Sequence, residues 1–122
     1  NIPIKPFYIA FLWTYLSCIL PIQFIDETNF NYIENYNYYL PVFLNIFATT
    51  TLADIKDYQE DLYNNISTFP TKIGLEESKY IIIISALLSN YIFIHNNNFE
   101  LNLQNAFFIL SNIGSLFTLY AL

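Results

Sequence analysis

The chain has 122 residues, 55% of them hydrophobic and 20% aromatic, and only 11% charged: 4 lysines, no arginine and 10 acidic residues. A soluble domain typically carries about 25% charged residues, so this composition points to a membrane-embedded chain. The net charge of -6 and the absence of a basic stripe argue against nucleic-acid binding. The single cysteine, Cys18, lacks a partner for a disulfide or a zinc site and reads as an apolar thiol.

Four stretches contain no charge: Pro6 to Ile25, Asn35 to Ala53, Tyr80 to Phe99, and Leu101 to Leu122. Each approaches the ~20 residues that cross a bilayer core as a helix. Their apolar residues run around the whole helix instead of keeping to one stripe. The expected fold is therefore all-α: an integral membrane bundle of four spans. Residue 1 is Asn and the first span begins within six residues, so residues 1–122 are expected to be one partial domain cut from a longer protein. The first stretch is too long for a signal-peptide core and no small-residue cleavage pattern follows it.

Four spans make the connecting segments alternate across the membrane. Lys5, Lys56, Lys72 and Lys79 then fall on one side, which the distribution of positive charge marks as cytoplasmic. The opposite side receives the Asn/Tyr-rich connector Asn29 to Asn37, the polar turn Asn96-Asn97-Asn98, and His95, the only histidine, which reads as an interfacial residue. Thr49, Thr50, Thr51 and Asn45 lie within the second span and are expected to bond to backbone or to neighbouring helices. The sequon Asn65-Ile66-Ser67 falls on the cytoplasmic side, where glycosylation does not occur.

Directly after the nineteen uncharged residues Asn35 to Ala53 comes the acidic cluster Asp54-Ile55-Lys56-Asp57-Tyr58-Gln59-Glu60-Asp61. Carboxylates at the end of a membrane-grade run usually mark a working site. At roughly 100° per residue, Asp54, Asp57 and Asp61 share one helical face. Three like charges repel, and a hard divalent cation such as Mg2+ is the natural group to offset them. The helix should end near Asn64-Asn65, with Pro70 and Gly74 punctuating a loop and Glu76, Glu77 and Ser78 opening the next helix.

The run Asp54-x-x-Asp57-x-x-x-Asp61-x-x-x-Asn65-x-x-Thr68-x-Pro70-x-Lys72-x-Gly74 resembles the second aspartate-rich motif of the UbiA-type intramembrane prenyltransferases. The resemblance covers twenty-one residues and falls at the cytoplasmic end of one span with another following. It implies a nine-helix bundle in which two aspartate-rich motifs face each other and hold Mg2+ and a prenyl diphosphate between them. No Asn-Asp-x-x-Asp pattern occurs here, so the resemblance covers the C-terminal half and implies a missing N-terminal half, without which the chain is expected to be inactive. Three positions depart from the family: Asn65 replaces a usual Gly, and Leu62 and Ser67 stand where basic residues are common.

Prenyl transfer builds negative charge on the departing diphosphate, which metal ions and lysines stabilise. Asp57 and Asp61 are the first candidates for Mg2+ and for catalysis, with Asp54 as a third metal ligand. Lys72 is the candidate for the diphosphate, Lys56 is expected to screen the aspartate face, and Tyr58 is the aromatic candidate at the substrate. The expected function is transfer of an isoprenoid chain to a lipophilic acceptor of aromatic, quinone-precursor or porphyrin type, within membrane lipid. The alternative is a non-catalytic or transport-type polytopic fragment with a cytoplasmic acidic cation site. A transport path would want its carboxylates at mid-span, and a soluble terpenoid enzyme would not carry four uncharged spans.

Overall fold

The computed structural model describes residues 4–21, 36–96 and 103–121, and every regular element among them is a helix. In chain order these are α1 (Lys5–Thr14), which continues into a π-helical turn (Tyr15–Ile19), α2 (Tyr36–Lys56), α3 (Tyr58–Tyr63), α4 (Phe69–Ile73), α5 (Leu75–Asn96) and α6 (Leu103–Ala121). The all-α expectation holds. The described parts of the four expected spans are helical, in α1 with its π turn, α2, α5 and α6, but among the described residues only a segment of α5 is long and apolar enough to cross a membrane, so four spans are not shown. Residues 22–35 and 97–102 lie outside the described residues, and with them most of the Asn29 to Asn37 connector and of the Asn96-Asn97-Asn98 turn. Tyr36 and Asn37, expected in that connector, already belong to α2.

α2 is the central helix and packs against α1, α5 and α6. Its core face, Ala48, Leu52 and Ile55, meets Ile82 and Ala86 of α5 and Leu119 of α6. The two alanines let the backbones approach closely, as helix contacts in lipid favour. Nearer the middle of the bundle the contact becomes polar. Asn112 of α6 is fully buried and donates to Ser89 Oγ (3.1 Å) and to Asn90 Oδ1 (2.6 Å) of α5. Its own Oδ1 accepts from Asn45 Nδ2 of α2 at 2.8 Å, and Ser89 donates to the Pro41 carbonyl at 2.7 Å. Thr49, Thr50 and Thr51 each donate to the backbone carbonyl four residues earlier. The expectation for Asn45 and the threonines is met in full.

The outward faces are apolar. On α5, Tyr80, Ile84, Leu87, Tyr91 and Ile94 are exposed, and on α6, Leu103, Phe107, Leu110, Ile113 and Phe117, all at the three- or four-residue spacing of one face. Ser78, Ser85, Ser89, Asn112 and Ser115 are buried instead. Polar groups inside and large apolar groups outside invert the pattern of a helix facing water. Among the described residues one helical segment, Leu75–His95, is long and apolar enough to cross a membrane by length and composition. α2 is almost as long but carries Asn45 and three consecutive threonines, which its neighbours and its own backbone satisfy.

The acidic segment departs from one continuous helix. At Asp57 the backbone takes φ -94° and ψ 12°, separating α2 from α3, although Asp57 N–H still donates to Ala53 O and Asp57 O still accepts from Asp61 N–H. α3 ends where Asn64-Asn65 was expected to end it. Asn65 adopts φ 57°, Ile66 N–H donates to Asp61 O (2.9 Å) and Asn65 N–H to Leu62 O (3.3 Å), the paired bonds of a Schellman C-cap. The stretch expected to be a loop around Pro70 contains the short helix α4. Thr68 and Thr71 cap it reciprocally, Thr71 N–H donating to Thr68 Oγ1 and Thr68 N–H to Thr71 Oγ1, and Pro70 occupies the first turn, where no amide donor is needed. Gly74, at φ 104°, turns the chain into α5, whose first turn carries Glu76 and Glu77 as expected.

Candidate functional site at the acidic end of the bundle

Asp54 lies in the last turn of α2 and is 1% exposed. Lys5, at the start of α1, reaches its Oδ1 at 3.5 Å, while Oδ2 has no hydrogen-bond partner. Burial pushes the Asp54 carboxyl above its ordinary value; Lys5 opposes that rise, and the nearby Asp61 and Asp57 charges add to it. Thr51, one turn below, is also buried, with its hydroxyl donating to Phe47 O.

Asp61 is 6% exposed and its Oδ2 is likewise without a partner. Two buried carboxylate oxygens at one end of one bundle are thus unsatisfied, a costly arrangement when nothing offsets it. Asp57, between them in sequence, is exposed because the backbone departs from helix there. The shared face expected for the three aspartates is therefore divided: Asp54 and Asp61 point inward and Asp57 outward. Among the described residues no three His, Cys, Asp or Glu side chains converge into a ready-made ligand set.

A cavity of about 210 Å³ opens beside Asp61, walled by Leu62, Asn65, Ile66, Ser67, Thr71 and Lys72. Lys72, exposed in the last turn of α4, thus shares a cavity with Asp61, although the two are eleven residues apart in sequence. Leu62 and Ser67, where the resemblance leads one to expect basic residues, line it too. Lys56 is exposed and Tyr58 half-buried, and neither belongs to its wall.

α4 is held by aromatic packing. Phe69 meets Phe7 of α1 (ring centroids 5.8 Å) and Phe47 of α2 (5.9 Å), and those two rings lie 4.9 Å apart. These three phenylalanines, together with Lys5, are the residues of this end that sequence reasoning missed. Lys5 could have been found from its position on the same side as the aspartates; the phenylalanines carry no signal among twelve of their kind. His95 lies at the far end of α5, twenty residues from its start, stacked on Tyr91 with ring centroids 5.7 Å apart. Cys18 is buried within the π turn.

No family model matches the chain, and neither a curated protein nor a solved structure matches it.

Proposed function

We propose that the chain is the C-terminal half of an intramembrane prenyltransferase of UbiA type, with α1, α2, α5 and α6 as four membrane spans and the α2–α4 end facing the cytoplasm. The single observation that carries this reading is the pair of buried carboxylate oxygens on Asp54 and Asp61 left unpartnered among the described residues, with Asp61 lining a cavity that also takes Lys72. The apolar outer faces of α5 and α6 support the membrane setting.

The donor set fits Mg2+: hard carboxylate oxygens, unsatisfied by protein, as such a cation requires. Asp54 and Asp61 would hold it, with exposed Asp57 able to join from the edge. When bound, the ion neutralises charge developing on a departing diphosphate. Lys72 donates to the diphosphate oxygens from the cavity wall. Thr68, through its cap, fixes the short helix that carries Lys72. An apolar groove of about 260 Å³ between α1 and α2, lined by Phe11, Ile19, Leu40 and Phe43 among others, suits the isoprenoid tail. Phe43 lies eleven residues before Asp54, about 17 Å along the helix, so a chain of several isoprene units is the length that fits. These apolar walls would shield the tail from water, and Tyr58 is the π-rich side chain within the motif, nearest in sequence to the aspartates where the allylic cation would form.

The test is prenyl transfer by the full-length protein to a lipophilic aromatic acceptor. Asp61→Ala and Asp57→Ala should each abolish Mg2+-dependent transfer, whereas exposed Glu60→Ala should change it little. Equal loss at all three positions would indicate a diffuse field in place of coordination. Carboxylates that serve instead a transport path would leave all three variants without effect on any transfer reaction.

A further inference from the structure

We infer that Lys5 is a built-in counter-cation of the acidic site, displaced from Asp54 by an incoming divalent cation and then free to meet the anionic substrate. The inference rests on the metal reading above and assigns a role to a residue outside the motif. Pro6, immediately following, is buried and anchors the backbone of α1 at this point, while the Lys5 side chain is 51% exposed and free to swing. Asp54, its partner, is 2% exposed at the side chain. Their separation of 3.5 Å exceeds the about 2.7–2.9 Å of a good charge-assisted hydrogen bond. The ammonium therefore stands at the rim, touches one carboxylate oxygen and leaves the other unpartnered.

Among the described residues no other lysine pairs with any of the three aspartates; Lys79 pairs with Glu76. A single ammonium offsets one charge where Asp54, Asp57 and Asp61 bring three. A divalent cation carries twice that charge and accepts several oxygens at once, so it takes the open Oδ2 atoms of Asp54 and Asp61 and weakens the attraction that holds Lys5 in place. The released side chain keeps its tether at the entrance of the site, where a diphosphate oxygen is its next partner. Lys5 thus supplies a cation from α1, at the Asp54 side of the site, in addition to Lys72 in the cavity that Leu62 and Ser67 line.

The experiment compares the full-length protein with Lys5→Gln and Lys5→Arg in detergent micelles, reading Mn2+ binding by electron paramagnetic resonance and thermal unfolding in chelator. Lys5→Gln removes the internal competitor, so Mn2+ affinity should rise three- to tenfold while the metal-free unfolding midpoint falls. Inorganic diphosphate added with Mn2+ should bind several-fold more weakly. Lys5→Arg, whose planar fork can engage a carboxylate at two points, should compete harder and lower Mn2+ affinity. It supplies the answer if Lys5→Gln does not fold. Equal Mn2+ affinity in all three proteins overturns the role of Lys5 and leaves the metal reading standing. Failure of Mn2+ to bind the unaltered protein overturns both.

Discussion

Replacing Asp54 by Asn tests whether the unsatisfied carboxylates await a cation. The side chain is almost fully enclosed, its only partner among the described residues is a half-exposed lysine 3.5 Å away, and burial already disfavours its charged form. An uncompensated buried polar group costs about 1–3 kcal/mol and a charged one more. Asn keeps the shape and the hydrogen bond from Lys5 while removing the charge, so the metal-free protein should gain about 1–2 kcal/mol. For a chain of 122 residues this corresponds to a rise of several degrees in unfolding midpoint. With Mg2+ the order reverses, because a ligand at about one hundred times its dissociation constant stabilises by about 2.7 kcal/mol and Asp54→Asn loses most of that gain. The assay is thermal unfolding of the full-length protein in micelles, in chelator and then in millimolar Mg2+. An Asp54→Asn variant less stable than the original in chelator would refute the reasoning, since the carboxylate would then be satisfied by the protein alone.

Leu62→Lys and Ser67→Lys both point a new cation into the cavity that holds Asp61 and Lys72, and either should lower the apparent KM for the prenyl diphosphate several-fold with little change in kcat; an unchanged KM in both would remove the cavity from the phosphate site. In a protein with Cys18 replaced by Ala, single cysteines at exposed Asn64 and exposed His95 should react with a membrane-impermeant maleimide from opposite sides, and labelling from the same side contradicts the four-span arrangement.

The long helices were legible because long apolar helices leave a crude signal, the absence of charge over about twenty residues. Their ends were legible where backbone chemistry speaks locally: Asn65 tolerates φ 57°, and Glu76 and Glu77 favour a helix start. The aspartate face was only half legible. A helical wheel assumes a straight helix, and the irregular backbone at Asp57 turns that carboxylate outward while Asp54, ranked third on the sequence, becomes the most enclosed of the three. α4 hid behind residues that also signal loops, although Pro70, two residues after the N-cap Thr68, is equally a helix-start signal. The partnerships of Lys5 with Asp54 and of Asn45 with Asn112 join residues 49 and 67 positions apart, which no local pattern encodes.

The Asn112 cluster also fixes the axial register of the bundle. Apolar helices in lipid can slide past one another at little cost, because leucine against a neighbour and leucine against an acyl chain differ little. Asn112 removes that freedom. Sliding α6 by one turn, about 5.4 Å, would break the bonds of Asn112 to Asn45, Ser89 and Asn90 at once. Helices α2, α5 and α6 are thereby keyed at a single axial offset and rotation, and the height of Asp54 along the bundle is set by an asparagine on another helix, 58 residues away in sequence.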